Sequence, residues 1–246
     1  KMTTVKVSSL LAAAILAAGS TQLYAEDADS SSLWSGDAEF GYVDTSGNTE
    51  ETTIKGRAQA NREQDEWRYN ITFDSLNSTA NDARSAEKYF LSNRLAYQYQ
   101  ENDYVFAYAS YDDDRFSGFD YQATVSAGWG RRLLNNEVMQ WDIELGPGYR
   151  ISKVDDGANG EDADEAIARG FTQFSWDFSE TANFSQSLNV EAGADNTISK
   201  SITALKVQIV GALALKLSYT IKYTDEVPAA TKRADTETAV TVVYSF

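Results

Sequence analysis

The fold of this chain is decided by the segment Trp67–Asp74, which reads WRYNITFD. Aromatic and aliphatic residues occupy every odd position of this segment, and polar or charged residues occupy every even position. Successive side chains of a β-strand point to opposite faces, so the segment predicts a strand with one apolar and one polar face.

The same alternation recurs along most of the chain, in twelve segments. The chain is long enough to give twelve strands the roughly 9–11 residues each that a tilted transmembrane strand needs. We therefore expect an all-β, antiparallel transmembrane β-barrel. The fifth segment is apolar on both faces and cannot be phased. The segments lie at Trp34–Tyr42, Thr53–Asn61, Trp67–Asp74, Lys88–Tyr99, Tyr104–Tyr111, Tyr121–Gly130, Met139–Arg150, Arg169–Phe178, Phe184–Ala192, Leu205–Ile209, Leu213–Tyr223 and Val240–Phe246.

The residue composition excludes several kinds of chemistry. The 246 residues include no His and no Cys, so the chain has no His-assisted nucleophile, no imidazole or thiolate metal ligand and no disulfide. The net charge of −16 disfavours nucleic-acid binding. We therefore predict a protein that is not an enzyme, holds no cofactor and has no nucleic-acid partner.

The start of the chain has the three-part pattern of a secretory signal peptide. Two lysines precede a nearly apolar run, Val7–Ala18, which is too short to cross a bilayer as a helix. We expect cleavage between Ala25 and Glu26 and an exported protein; a buried N-terminal helix is the alternative. The predicted organisation is a signal peptide at 1–25, a short polar segment at 26–32 and a barrel domain at 33–246.

The connections between the segments alternate in predicted length. Short turns are expected near Glu63–Asp65, Glu101–Asp103, Leu133–Glu137, Ser179–Thr181 and Val210–Ala212. Long loops are expected at Asp44–Glu51, Ser75–Ser85, Asp112–Asp120, Ser152–Asp164, Ala194–Lys200 and Asp225–Asp235. This alternation is typical of bacterial outer-membrane barrels, so the loops with Asp112, Asp155 and Asp225 are expected outside the cell, with both termini on the periplasmic side.

A soluble β-sandwich or lipocalin-like barrel would show the same alternation, with its apolar face turned into a core. Three features favour the membrane barrel. Aromatic residues concentrate near segment ends, where interfacial girdles lie. The polar faces carry charges of both signs, as in a lumen whose charges pair, and the last strand ends on Phe246. We therefore expect the protein in the bacterial outer membrane.

The polar faces supply the candidate site residues. Asp142 and Glu144 lie two positions apart on one strand, so both carboxylates point into the lumen. A paired acid/base site is one interpretation, and ion pairing with Arg68, Arg94, Arg150 or Arg169 is the favoured one. The charged residues predicted to face the lumen are Arg57, Arg68, Asp74, Arg94, Asp142, Glu144, Arg150, Arg169 and Glu191.

Three consecutive acidic residues, Asp112–Asp114, offer hard oxygen ligands for a divalent cation. Their spacing does not match an EF-hand loop, and a solvated acidic loop is the favoured interpretation. We therefore predict no metal site.

The closing stretch Val240–Phe246 reads VTVVYSF and resembles the C-terminal assembly signal of outer-membrane proteins. Its alternate apolar residues and terminal aromatic carry the resemblance, which implies recognition by the barrel-assembly machinery. The predicted signal residues are Val240, Val242, Tyr244 and Phe246.

Further motifs occur at Trp34–Gly36, Ser46–Thr49, Asp114–Phe119, Gly128–Arg132 and Gly146–Arg150. On these motifs, residues 33–246 resemble the YdiY-like family of salt-induced outer-membrane proteins, a domain of unknown function. Pro147 departs from the pattern, because proline cannot donate a ladder hydrogen bond, so we expect a bulge or an early strand end there. The resemblance implies a location and a link to salt rather than a mechanism.

The favoured function is a small channel or envelope-integrity barrel linked to salt or osmotic response, and the salt link comes from the resemblance alone. A membrane-embedded enzyme acting on envelope lipids is one alternative, and a purely structural or adhesive barrel is another. The expected partners are outer-membrane lipids, the assembly machinery during biogenesis, and ions or small solutes.

Overall fold

The computed structural model describes residues 34–45, 51–80, 83–115, 117–154, 162–227 and 232–246. The predicted signal peptide, its cleavage point at Ala25 and Glu26, and the polar segment 26–32 lie outside these residues. No helix in the described part of the chain is long and apolar enough to cross a membrane. The strands are β1 Trp34–Thr45, β2 Glu51–Gln64, β3 Trp67–Ala80, β4 Ala83–Gln98, β5 Asp103–Asp114, β6 Phe119–Asn135, β7 Met139–Val154, β8 Ala163–Ser179, β9 Ala182–Gly193, β10 Thr197–Val210, β11 Leu213–Thr224 and β12 Ala234–Ser245.

The strands form one closed barrel in which each pairs antiparallel with its sequence neighbours and β12 returns to β1. The predicted twelve-stranded antiparallel barrel is therefore confirmed. Closure abolishes both sheet edges, and this is the condition for a sheet to sit in hydrocarbon without unpaired backbone groups.

The closing seam is short and lies at the end of the barrel where the chain finishes. Its register runs from Asp37 opposite Ser245 to Phe40 opposite Val242. Beyond these pairs, the backbone groups of Gly36 and Phe246 exchange two hydrogen bonds of 2.9 Å. A Cβ on Gly36 would lie 2.3 Å from the backbone oxygen of Gln59, so this position must be glycine, and the Phe246 ring covers it at 2.7 Å from that Cβ position.

Apolar side chains cover the outside of the barrel and polar ones fill the inside. Consecutive residues of β7 show this directly, since Glu144 is 1% exposed and Leu145 is 60% exposed. Arg150, at 1% exposure, lies beside the outward-facing Tyr149 and Ile151. A soluble β-protein has the opposite arrangement, so the burial pattern decides for the membrane barrel.

Aromatic residues form a band at each end of the barrel. Tyr42, Tyr89, Tyr111, Tyr149 and Tyr223 face outward near the connections that were predicted to be long. Interfacial positions suit side chains with an apolar body and a polar tip. The tryptophans lie at the opposite end, beside the short turns, and they are Trp34, Trp67, Trp129, Trp141 and Trp176.

The segment that the sequence could not phase is β5. Its buried residues Tyr104 and Phe106 face the interior, and Val105 and Tyr111 face outward. Both faces are apolar because the inward rings take part in the charged interior described below.

The expectation of a bulge or an early strand end at Pro147 is wrong. β7 continues to Val154, and Pro147 faces outward opposite Ala168 of β8. The ladder to β6 lacks the pairs of Gly146 and Pro147 but keeps one register, with Ser126 opposite Gly148 and Trp129 opposite Leu145. The missing proline donor thus interrupts the pairing with β6 locally and does not shift the register.

Three of the predicted long loops are also wrong. β3 runs to Ala80 and β4 starts at Ala83, so strand replaces most of the predicted loop Ser75–Ser85. β9 and β10 are likewise separated by residues 194–196 alone. Small polar residues in these stretches predict loop, but backbone pairing continues there without apolar side chains. β5 runs to Asp114 and β6 starts at Phe119, so the predicted long loop Asp112–Asp120 is a short connection and Asp112 lies inside β5. Asp155 lies outside the described residues.

We predict that deleting Phe246 lowers the yield of folded barrel. The deletion removes both hydrogen bonds to Gly36 and the ring over it, about 1–3 kcal/mol in a short seam, and also the predicted assembly mark. The measurement is the heat-modifiable, protease-resistant fraction in outer membranes. Thr241→Ser is the matched control, because its hydroxyl still reaches Glu39. Equal yields for both variants would contradict the prediction.

We predict that the β11–β12 connection faces the outside of the cell. The chain has no native cysteine, so a single one is uniquely reactive. Glu226→Cys should react with a membrane-impermeant maleimide in intact cells, because Glu226 is exposed there. Thr181→Cys, in the β8–β9 turn, should react only after the outer membrane is opened. The reverse labelling would invert the topology.

Candidate functional site in the barrel interior

The charged residues of the interior pair across the barrel. Arg94 of β4 bonds Glu144 of β7, and Lys222 of β11 bonds Asp112 of β5 at 2.8 Å. These strands are not neighbours in the sheet, so such contacts must pass through the lumen. The side chains therefore narrow the interior instead of lining a wide pore.

Glu144 is the centre of the charged group at the short-turn end. Its Oε1 accepts from Arg94 Nε at 2.6 Å and from the Tyr104 hydroxyl at 3.3 Å, and its Oε2 accepts from Arg169 Nη1 at 3.0 Å. Both carboxylate oxygens are thus engaged by donors. We call this group the arginine cluster, and its charged members are Arg68, Arg94, Arg132, Arg169, Asp142 and Glu144.

Asp142 is the second carboxylate of the arginine cluster. Arg132 Nε donates to its Oδ1 at 3.4 Å, and Arg68 Nη1 lies 3.8 Å from the same oxygen. Four guanidinium groups therefore meet two carboxylates. With every group ionised, the arginine cluster carries two positive charges in excess.

Aromatic rings from β5 support the arginines. The Tyr104 ring lies 4.4 Å from the guanidinium carbon of Arg68, and the Tyr108 ring lies 3.9 Å from that of Arg169. Such stacking offsets part of the cost of taking a guanidinium out of water. A Cβ at Gly130 would lie 2.2 Å from the Tyr104 ring, so only glycine lets the ring lie flat against β6.

A second charged group lies nearer the loop end, around Arg150. Its guanidinium bonds the Glu165 carboxylate, and Nη1 lies 3.6 Å from the Glu191 carboxylate. The backbone carbonyl of Asn196 accepts a further hydrogen bond of 2.6 Å. This buried group ties β7, β8 and β9 together at the level where the connections begin.

A cavity of about 830 Å3, counting the solvent at its mouth, lies at the loop end of the barrel. Arg57 donates to Asp74 at 2.8 Å on its wall. Lys200 lies over the Phe90 ring at 4.1 Å. Six cations and six carboxylates line the cavity, so its charge is balanced: Lys55, Arg57, Lys88, Lys200, Lys216 and Lys222 against Glu39, Asp74, Asp112, Asp114, Asp235 and Glu237.

The structure brings all nine charged residues that were predicted to face the lumen into these three groups. Arg68, Arg94, Asp142, Glu144 and Arg169 share the arginine cluster. The Arg150 group holds Glu191, and Arg57 and Asp74 meet in the cavity wall. Asp142 and Glu144 form ion pairs with arginines rather than an acid/base pair.

Asp112 and Asp114 do not converge on a cation position. Alternation places them on the lumenal face of β5 and Asp113 on the other face. Lys222 bonds Asp112, and Lys88 lies 2.9 Å from the Asp114 carboxylate. Among the described residues, no three acidic side chains are grouped to hold a metal ion.

Several residues of the interior lie outside the set predicted from the sequence. Tyr104, Phe106 and Tyr108 were hidden by the double apolar face of β5. The alternation of β8 places Glu165 on the same face as Arg169, so Glu165 could have been predicted to face the lumen. Lys200 falls in a predicted loop, where no facing was assigned.

A closed antiparallel barrel with an apolar exterior and a charged interior is the architecture of bacterial outer-membrane proteins. This chain is an outer-membrane β-barrel. The model of the family described as "Protein of unknown function, DUF481" matches residues 38–246, and the chain belongs to this family.

One relative supports this family assignment. The "Uncharacterized protein YdiY" of Escherichia coli strain K12 is 30% identical over 214 residues, which cover 86% of this chain and 82% of the relative. The predicted YdiY-like family is thereby confirmed. The NanC porin structure has a TM-score of 0.51 at 8% identity, covering 85% of this chain and 98% of its own, and this likeness concerns the fold. The translocator domain of autotransporter NalP from Neisseria meningitidis has a TM-score of 0.47 at 12% identity, covering 87% of this chain and 86% of its own.

We predict that Glu144→Gln destabilises the barrel by about 3–5 kcal/mol, because two buried guanidinium groups lose their charged partner. The measurement is urea unfolding of the refolded protein in detergent, followed by loss of the compact electrophoretic form.

The matched control for this prediction is Asp162→Asn in the β7–β8 connection. Hydrogen bonds from Lys153 and from the Val154 amide lower the pKa of Asp162, but the carboxylate is exposed. The control should leave the urea midpoint unchanged. An equally small effect of Glu144→Gln would show that the arginine cluster does not hold the barrel together.

Proposed function

We propose that the protein is a narrow outer-membrane channel for ions and small solutes. The observation that carries the proposal is a polar interior with two successive parts, an open cavity at the loop end and the arginine cluster below it. Barrels of about eight strands are filled by side chains and those of 16–18 hold open channels, so twelve strands suit a constricted passage.

Side chains form the constriction in the part of the chain that the structure describes. In the described residues, the groups that cross the lumen are ends of Arg, Lys, Asp and Glu side chains held by ion pairs. Charged side chains of this kind exchange partners without backbone movement. Ions could therefore pass where the static structure shows a narrow interior. NanC, a protein named as a porin, has a barrel of the same fold.

Two further inferences depend on the family and the exterior. The family resemblance supports a role in salt or osmotic response, since exchange of small ions across the outer membrane is affected by external salt. The apolar exterior and aromatic bands support outer-membrane lipids as partners, and the C-terminal residues Val240, Val242, Tyr244 and Phe246 support recognition by the assembly machinery.

We predict small single-channel steps for the wild-type protein in a planar lipid bilayer, and larger steps for Arg94→Ala. Arg94 crosses from β4 to β7, so its truncation should widen the arginine cluster. The expected change is an increase of about twofold, as for removal of one of a few side chains from a narrow lumen.

Arg84→Ala is the control, because Arg84 is 55% exposed at the loop end and pairs with Glu87 on its own strand. It should conduct like the wild type. Absence of steps in all three proteins, each shown to be folded, would refute the channel and favour the structural barrel. Hydrolysis or acyl transfer on lipid substrates without conductance would favour the membrane-embedded enzyme.

A further inference from the structure

The arginine cluster has an excess of positive charge that its own carboxylates do not neutralise. Arg94 and Arg169 share Glu144, and Arg132 and Arg68 share Asp142. Burying charge without a partner is costly, so a group with two excess positive charges has a strong tendency to recruit an anion. The loop-end cavity above it has balanced charge and does not supply one.

Arg68 is the arginine of this cluster with the fewest hydrogen bonds. Its Nε and Nη2 are buried and have no hydrogen-bond partner, and its Nη1 is too far from Asp142, at 3.8 Å, for a hydrogen bond. By contrast, Arg94 and Arg169 donate to Glu144 at 2.6 and 3.0 Å. Within the described residues, Arg68 is held mainly by its stacking on Tyr104.

The two unpartnered donors of Arg68 lie on one edge of the guanidinium group. Nε–H and the adjacent Nη2–H point the same way, and a carboxylate or phosphate accepts from this edge through two parallel hydrogen bonds. Moving this edge toward the lumen breaks no hydrogen bond of Arg68. Chloride has no pair of oxygens to match the two donors, so the edge favours oxyanions.

We propose that the arginine cluster is a binding site for small oxyanions, in which Arg68 takes the anion and Arg94, Arg132 and Arg169 supply the surrounding positive potential. The site makes the passage anion-selective and slows oxyanions relative to chloride. This inference rests on the proposed channel for transport, but the binding itself does not require conduction.

The first test is block of chloride current by inorganic phosphate in a planar bilayer at constant ionic strength. The wild type should be anion-selective and blocked by phosphate. Arg68→Gln should weaken the block about tenfold or more, as expected for loss of charge-assisted hydrogen bonds. Arg68→Lys keeps the charge without the two-donor edge, so it should stay anion-selective and still lose most of the block.

Arg131→Gln is the control, because Arg131 is 50% exposed and pairs with Asp103 away from the cluster. It should retain the wild-type block. Cation selectivity of the wild type, or equal block of the wild type and Arg68→Gln, would overturn the oxyanion site while leaving the channel in place.

The second test measures binding without conduction. Phosphate should raise the temperature at which the detergent-folded wild type loses its compact electrophoretic form, and chloride at equal ionic strength should not. The rise should vanish in Arg68→Gln and persist in Arg131→Gln. A phosphate-dependent rise in a protein that does not conduct would support the oxyanion site and refute the channel. No rise in the wild type would refute the site.

Discussion

The structure depends on the requirement that every backbone donor and acceptor inside the hydrocarbon finds a partner within the protein. Twelve strands meet this requirement only when the last pairs with the first, and the seam between Gly36 and Phe246 accomplishes it. Once the sheet is closed, alternation sends every second side chain inward. Closure thus turns the polar faces of the strands into the interior, where their charged side chains meet and pair.

An interior of this kind is stabilised differently from a soluble core. Burial of apolar groups, which usually dominates stability, is replaced outside by contact with lipid and inside by charge pairing. Glu144, engaged by Arg94, Arg169 and Tyr104, holds three strands in position from within. Aromatic rings such as Tyr104 also stabilise the interior, because they stack on guanidinium groups that outnumber the carboxylates.

Strand number, closure and inward phase could be predicted from alternation, because a membrane barrel imposes period two on every strand. The facing of β5 could not be predicted, because its inward residues are aromatic like its outward ones. The full lengths of β3 and β4 could not be predicted either, because the small polar residues at their ends are also common in loops. Asp142 and Glu144 could be predicted to pair with arginines, but the sequence does not show which arginine pairs with which carboxylate. Which residues meet across the lumen depends on the stagger of the strands around the barrel, and no local pattern encodes it.

The two aromatic bands differ in their fluorescence, because one contains tryptophan and the other does not. Every tryptophan of the chain belongs to the band beside the short turns. Tryptophan fluorescence therefore reports on one leaflet of the membrane and not on the other. During insertion from one side of a bilayer, emission would report when that particular end enters its final environment. Quenchers attached at known depths in the acyl chains would then time the passage of one end of the barrel independently of the other.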